Sequence, residues 1–599
     1  MKKLLLLLTI TYSVSAHSQA PQLLKDILPG NPISFNGSVY TGPRGLINYN
    51  NQFYFIAPDT VVQVGIFVAA KEYNLWKSDG TSAGTQKVKD LNPIGNDEYY
   101  YTNGSSSIFQ PLNIYDNQLF FSATDGTTFP QFGTNESQLC TSDGTSSGTL
   151  LFENLRTGSS CPGISYEPHD FISIDKKLLF KTNCPCSDDP TFRFWEYDSI
   201  SKTTQKLGED YIYYTWAGST FDQRFQPFDL KNNFMLFPQP NYIKNPAPGQ
   251  TVLSNPCFAA YNKQLGKLQK LKDSTHVVSI MDHVNSSQVV VALIPNIFDP
   301  NFAISLYSLN KNTLQLNPYY TFSTHALVPG IITKTEITFL EKLNSKLYFM
   351  VKSPLTTESG LWVTDGTAAG TYQIKSIQHD DMISQSKIMN NEIYFSSSNY
   401  LNMTDTLWKT DGTIAGTKFV AEFYGRSLKV FNSVVFDNKL YFSAASNANS
   451  GLNEELWETD GTAAGTKMYY DLFPGTQGSI PENLLAFNNK LFFSAYTPAS
   501  GREIFYIQSI SSIIAENNIN DFSFNLFPNP TVNYITIEIN TQNVNGNLKI
   551  INSIGQLIHM TTINSSKINV DVSTLNSGIY NVIIENNNHF ATKKLQIIK

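Results

Sequence analysis

Five segments of this chain read alike over eleven positions: LWKSDGTSAGT from Leu75, LCTSDGTSSGT from Leu139, LWVTDGTAAGT from Leu361, LWKTDGTIAGT from Leu407 and LWETDGTAAGT from Leu456. Such a repeat restricts the fold severely, because each unit must be one supersecondary element that buries its apolar face only against its neighbours. Upstream lies a second recurring strand: QFYFIA at Gln52, QLFFSA at Gln118, KLYFMV at Lys346, EIYFSS at Glu392, KLYFSA at Lys439 and KLFFSA at Lys490. A third follows the motif, as VKDL at Val88 and YYDLFPG at Tyr469. With one more strand ahead of them, each unit reads as four short antiparallel strands, the pattern of a propeller blade.

The centre of the motif is turn chemistry. Asp79, Asp143, Asp365, Asp411 and Asp460 each offer a carboxylate to a backbone N–H two residues on. Gly80, Gly144, Gly366, Gly412 and Gly461 supply the positive φ that a tight hairpin requires. The preceding Trp76, Trp362, Trp408 and Trp457 are large enough to fill the wedge between adjacent sheets. Calcium would need six to eight oxygens where each motif brings a single carboxylate, so a structural turn and no metal are expected.

Between Leu139 and Leu361 the motif decays, but its strands persist. KLLFKT at Lys177, NFMLFP at Asn233 and QVVVAL at Gln288 precede RFWEYD at Arg193, FAAYNK at Phe258 and ISLYSL at Ile304. With a final EIFYI at Glu503, nine units are counted. The N-terminal LLKDILPG at Leu23 matches the outer strand YYDLFPG, while the last unit stops at its third strand, so the two ends are expected to share one blade. Eight is the usual upper size of a propeller. The expected fold is all-β: a β-propeller of eight or nine four-stranded blades, followed by a small C-terminal β-sandwich.

Met1 to Ala20 has a basic start at Lys2 and Lys3, a leucine-rich run too short to span a bilayer, and small residues at Ala16 and Ala20, the pattern of a cleavable signal peptide. The propeller is assigned to residues 21–508, a polar linker to 509–523, and a separate domain of about seven strands to 524–599.

The repeat LWxTDGTxxGT is similar to the ELWxxDGT repeat of extracellular bacterial proteins, over Leu23 to Gln508, with its weakest stretch from Glu153 to Gly360. That resemblance implies a propeller and no defined activity. The C-terminal domain carries LFPNPTVNYITI at Leu526, LKIINSIGQLIH at Leu548, DVSTLNSGIYNVII at Asp571 and KKLQIIK at Lys593, and resembles the type A sorting domain of the type IX secretion system. This resemblance implies passage through the general secretory route and then the type IX translocon, removal of the domain, and a propeller left free or attached at the cell surface. The secretion machinery is then the one expected partner that has a name.

Function classes can be trimmed by composition. A formal net charge of −7 without a basic run argues against nucleic acid. Cys140, Cys161, Cys184, Cys186 and Cys257 are too few and irregular for a disulfide scaffold, although Cys161 could bridge to Cys184 or Cys186, and no second pair completes a zinc site. His169-Asp170 and His379-Asp380 fall at comparable first-strand positions, but no third group or motif makes them catalytic, so neither a catalytic residue nor a cofactor is expected. Aromatic clusters in the connections from outer strand to next inner strand are candidate binding residues: Tyr99, Tyr100 and Tyr101; Tyr211, Tyr213, Tyr214 and Trp216; Tyr319 and Tyr320. Packing at blade ends is the alternative use for such rings. An exported, noncatalytic binding or adhesion module for glycan or protein is the leading expectation; a polysaccharide hydrolase or lyase with a site in the propeller channel, or a self-associating surface coat, are the others.

Overall fold

The computed structural model describes residues 20–27, 42–64, 67–91, 112–123, 138–153, 168–174, 177–186, 189–206, 211–214, 228–242, 256–264, 267–273, 275–294, 303–322, 335–353, 357–377, 386–399, 402–424, 428–445, 453–475, 477–509, 524–539, 546–552, 557–586 and 589–599. The expected signal peptide, the interior of the linker, Cys161 and the His379-Asp380 pair lie outside them. The chain separates into two compact units, the first reaching to Ile507 and the second running essentially from Gln508 to Lys599.

The first unit is all β-strand among the described residues. Seven separate four-stranded sheets and one nine-stranded sheet, which holds two further units, give nine blades among the described residues. In chain order their second strands are Gln52–Val64, Gln118–Ala123, Lys177–Cys186, Phe234–Tyr242, Gln288–Ile294, Lys346–Lys352, Glu392–Asn399, Lys439–Ala445 and Lys490–Thr497. The three units that lack the Asp-Gly-Thr turn are therefore real blades, the third to fifth. From the fifth blade to the ninth the first strands of successive blades neighbour one another, and that of the ninth neighbours that of the first, so these sheets follow one another around an axis.

The ring closes as the repeat implies. Gln22–Lys25 lies antiparallel to Gly501–Gln508 and becomes the outer strand of the ninth blade, with Leu23 opposite Phe505. Leu24 is buried with Phe53, Phe55, Phe492 and Ile504 between the ninth and first blades. Two polar contacts repeat those made where the chain is continuous. The Lys25 ammonium donates to the Thr85 carbonyl at 2.6 Å, as Lys89 does to Thr149 one blade on. The Ile27 N–H donates to the Glu503 carboxylate at 3.1 Å, as Leu472 does to Glu455.

Each inter-blade core pairs the second strand of one blade with the third strand of the next. Trp362 packs with Phe322 and Phe349 between the fifth and sixth blades, Trp408 against Tyr348 and Phe395 between the sixth and seventh, and Trp457 with Phe423 and Phe442 between the seventh and eighth. The rings of Phe322 and Phe423 each meet their tryptophan edge-on at 5.1 Å, an arrangement worth about 0.5–1.5 kcal/mol beyond area burial. Cys140 stands where the tryptophan stands elsewhere, buried between the first and second blades.

The second unit holds a three-stranded sheet, Phe524–Phe527, Tyr534–Ile539 and Lys567–Asp571, and a four-stranded one ordered Leu557–Ile563, Gly546–Asn552, Gly578–Asn586 and His589–Ile597. Alternation turns Ile535, Ile537, Leu548, Ile550, Val582, Ile584 and Leu595 into one shared core, giving the expected small sandwich.

The closing strand generates a test. Leu24→Ala should lower stability by about 2–4 kcal/mol, the range for a buried leucine, whereas Leu23→Ala at the exposed neighbouring position should cost under about 0.5 kcal/mol. Chemical denaturation of the two variants compares them, and equal effects would contradict closure by this strand.

Candidate functional site

Antiparallel succession divides the ring into two rims. First-to-second and third-to-fourth connections leave at one rim, and second-to-third and blade-to-blade connections at the other. The first rim is built of short turns. Asn50-Asn51, Asp116-Asn117, Asn344-Ser345, Asn390-Asn391 and Asp437-Asn438 adopt positive φ at both residues, the type I′ geometry whose twist suits a two-residue hairpin.

The Asp-Gly-Thr turns complete that rim with one internal network. In the seventh blade the Asp411 carboxylate accepts the Thr413 N–H at 2.9 Å and the Thr413 hydroxyl at 2.8 Å. Thr413 Oγ1 accepts the Gly416 N–H at 2.9 Å, and the Thr410 and Thr417 hydroxyls are bonded at 2.7 Å beneath. The same bonds recur around Asp79, Asp143, Asp365 and Asp460. The carboxylate lies so close over the second glycine that a Cβ on Gly416 would stand 1.9 Å from Asp411 Oδ1, which explains the glycine of GT. Hydrogen bonds from the threonines hold the Asp143 and Asp411 carboxyls below their ordinary range. These aspartates hold turns together.

The first glycine of each turn meets a second constraint, from the preceding blade. A Cβ on Gly144 would stand 2.1 Å from the Tyr54 hydroxyl, one on Gly412 2.2 Å from that of Tyr348, and one on Gly461 2.0 Å from that of Tyr394. Phe492 takes the tyrosine's place against Gly80 across the ring closure. Burial pushes the Tyr348 and Tyr394 hydroxyls above their usual range, so they remain protonated donors and acceptors.

At the other rim a polar residue on the third strand grips the connection to the next blade. Glu455, buried, accepts the N–H groups of Leu472, Phe473 and Ser479 at 3.2, 3.2 and 2.9 Å. Asp405 accepts the Leu428 N–H at 3.0 Å, Asn74 that of Leu91 at 2.7 Å, and Glu503 that of Ile27. Burial raises the Glu455 carboxyl against the pull of these donors. The sequence reading missed this clamp, although a polar residue one or two positions before Leu-Trp was its visible signal.

Beyond the clamps this rim carries connections of unequal length. Second and third strands are joined by two residues between Val64 and Phe67 but by far longer stretches between Ala123 and Gln138 or Tyr242 and Pro256. Tyr99, Tyr100, Tyr101 and Trp216 lie outside the described residues. Tyr211, Tyr213 and Tyr214 belong to a strand, not a loop: Tyr213 stands opposite Phe192 of the third blade and Tyr211 opposite Tyr242 of the fourth, joining the two blades into one sheet. Tyr319 and Tyr320 correct the sequence reading, because both lie within the outer strand Leu316–Thr321 and pack against the sixth blade. The Tyr319 hydroxyl is 3.1 Å from Thr364 Oγ1, and Tyr320 meets Trp362 edge-on. In this blade an Asn310 turn replaces Asp-Gly-Thr, which displaces the strand relative to the motif.

One further group stands out on the inner strands. Glu341 of the sixth blade is half-buried, and its carboxyl is raised by burial and by Asp282 of the fifth blade, against the opposing pull of Lys387 and Ser386 of the seventh. Next to Asp282, the buried His283 ring bonds the Asp229 carbonyl at 3.1 Å and is pushed down by desolvation. Among the described residues no group of three or more His, Cys, Asp or Glu side chains could hold a metal ion.

Residues 525–599 match the family model of the secretion system C-terminal sorting domain. No curated protein matches the chain. Among solved structures, PorZ, a surface component of the type IX secretion system of Porphyromonas gingivalis, is similar at 11% identity over 97% of this chain and 99% of its own, with a TM-score of 0.22. The β-propeller domain of the Trilobed protease from Pyrococcus furiosus is similar at 13% identity over 61% of this chain and 97% of its own, TM-score 0.31. A prolyl endopeptidase is similar at 12% identity over 72% of this chain, with a TM-score of 0.34, and the chain spans 52% of that enzyme's length. The C-terminal domain thus marks a chain handled by the type IX secretion system, and the protein is secreted or at the cell surface. No helix among the described residues is long and apolar enough to cross a membrane.

The turn generates two tests. Gly412→Ala should cost about 1–3 kcal/mol through its positive φ and the Tyr348 hydroxyl, and adding Tyr348→Phe should recover only the steric part. A double-mutant cycle by denaturation reads the coupling, and additive effects would remove the contact from the account. Because the folded Asp411 carboxyl lies below its unfolded range, its contribution is present at neutral pH and is lost as pH falls through the carboxylate range. Asp411→Asn should therefore flatten the acid side of the stability–pH curve, measured by thermal melting from pH 7 to 3.

Proposed function

We propose that the first unit is a noncatalytic binding module, for glycan or protein, carried outside the cell by its sorting domain. On this reading residues 1–20 are the signal peptide, 21–508 the propeller, 509–523 the linker and 524–599 the sorting domain, and the repeats are of the ELWxxDGT type. The observation that carries the proposal is the difference between the rims. One is consumed by uniform, internally bonded turns, while the other keeps a rigid clamped base under connections whose length and sequence vary from blade to blade. Variable loops on a rigid scaffold are the usual seat of recognition.

Within that rim Tyr99, Tyr100, Tyr101 and Trp216, together with the strand bearing Tyr211, Tyr213 and Tyr214, are the binding residues we favour; Tyr319 and Tyr320 serve the inter-blade core instead. Flat aromatic faces beside Asn, Gln and Asp suit sugar rings and protein loops alike, because they bring large contact area at low entropic cost. The buried carboxylates Glu455 and Asp405 favour a frame over a reaction centre, since their oxygens accept backbone and hydroxyl donors of the blade connections.

The channel reading, a polysaccharide hydrolase or lyase, is favoured by Glu341 alone: a carboxyl raised by burial on an inner strand, with Asp282 on the strand beside it, has the character of a general acid.

Two measurements separate these readings. Replacing Tyr99 to Tyr101 and Trp216 by Ala should reduce binding on a glycan or surface-protein array at least tenfold with an unchanged melting temperature, and retained binding removes the rim proposal. Incubation with a polysaccharide panel should release neither reducing ends nor unsaturated sugars; products that vanish with Glu341→Gln would move the function to the channel.

A further inference from the structure

In the second unit the strand His589–Ile597 is the outermost of its sheet, and the far side of its last residues is covered by a segment that is not a strand. The Asn529 side-chain amide donates to the Lys594 carbonyl at 2.7 Å and accepts the Gln596 N–H at 2.8 Å, the two bonds that a neighbouring strand's backbone would make. Thr531 continues the pairing. Its N–H donates to the Gln596 carbonyl and its carbonyl accepts the Ile598 N–H, both at 2.9 Å. Pro528 and Pro530 have no N–H to give, so the side chain between them stands in for the backbone. This clip fastens the first landmark of the domain, LFPNPTVNYITI, to the last, KKLQIIK, across 65 positions of sequence.

The clip also gathers apolar side chains on the outside. Thr531 and Ile597 are buried where the two segments bridge, so the next residue on each, Val532 and Ile598, turns to solvent and is 54% and 49% exposed. At the two ends of the same connection stand the exposed rings of Phe527 and Tyr534. Phe527 pairs with Thr536, which places Tyr534 diagonally across from it on the outer face of their sheet, while Ile535 and Ile537 fill the core behind. Apolar residues exposed singly are ordinary, but their clustering around one contact marks an interaction surface. Lys567, with its ammonium 6.0 Å from the Phe527 ring centroid, and the exposed Lys593, Lys594 and Lys599 frame this patch, outnumbering the neighbouring Glu538 and Asp571.

We propose that the type IX secretion machinery docks on this patch, Phe527, Val532, Tyr534 and Ile598 within their frame of lysines, through a protein surface with an apolar centre and an acidic rim. The occupant follows from the match of residues 525–599 to the sorting domain of a secretion system, and the proposal adds which face of that domain is read. Because Ile598 reaches Val532 only through the clip, the patch exists in the folded domain and not in the extended chain. Docking there makes folding of the domain a condition of export.

The test follows export of the whole precursor in a bacterium that has a type IX secretion system, by immunoblot of the medium and cell surface against the periplasm. Deletion of residues 524–599 should abolish export, and a deleted chain exported like wild type contradicts the sorting role itself. Val532→Ser combined with Tyr534→Ser and Ile598→Ser should cut the exported fraction by about tenfold or more and collect the chain in the periplasm, with an unchanged melting temperature of purified residues 21–599. Lys594→Glu, at an exposed position outside the core, should lower export by about threefold or more and keeps the test open should the triple variant melt early. Ile558→Ser combined with Met560→Ser, exposed apolar positions on the opposite edge of the sheet, should leave export unchanged. Folded patch variants exported like wild type, or an equal loss from the Ile558 and Met560 pair, overturn the proposal.

Discussion

The ring depends on how one blade meets the next at the Asp-Gly-Thr turn. A tyrosine from the second strand of one blade ends where the turn glycine of the following blade has no side chain, and the tryptophan just before that turn fills the wedge behind it. The glycine thus answers two demands together, a left-handed φ within its own hairpin and an empty space for a neighbour's hydroxyl. No other residue meets both demands, and the glycine is kept even in the sixth blade, whose neighbour offers no tyrosine. Ahead of the sixth blade, Val284 lies against Gly366 where a tyrosine lies elsewhere.

Closure extends the same logic to the chain's ends. The strand Gln22–Lys25 uses Leu24, Lys25 and the Ile27 N–H as an internal outer strand uses its own residues, so the junction is chemically one more blade interface. Gln22 faces Tyr506, close to the point where the chain departs toward the sorting domain. The ring therefore cannot be completed until its last strand exists, and that strand is the last part of the propeller to be made. For an exported chain this ties closure of the ring to synthesis of the propeller's last strand.

The rims divide the labour. Regular turns and buried threonine pairs make one rim a fixture, and the carboxylate clamps on the other hold each crossover at its base while leaving its outer part free to differ. The long second and third strands of the first blade and the bridging strand Tyr211–Tyr214 both reach that second rim, where the repeat imposes least. Recognition is accordingly sought there, and the inner-strand Glu341 is the one described feature that points elsewhere.

Much of this was legible in the chain itself. The spacing of Leu-Trp and Leu-Tyr-Phe strands exposed the blades, including the degenerate third to fifth, because a two-residue alternation survives when turn residues do not. The match between LLKDILPG and YYDLFPG foretold which ends would meet, since identical roles select similar residues. The sorting domain was readable from its ordered landmarks. Tertiary structure alone decided the rest. That Tyr319 and Tyr320 face the sixth blade follows from where the Asn310 turn places their strand, and local sequence carries no such offset. That Glu455 binds three N–H groups of a connection depends on a crossover passing over it, and that Tyr348 needs Gly412 depends on an angle between two sheets. Local sequence encodes strand and turn through backbone preference and alternation, whereas contacts between residues sixty positions apart exist only once the blades are set side by side.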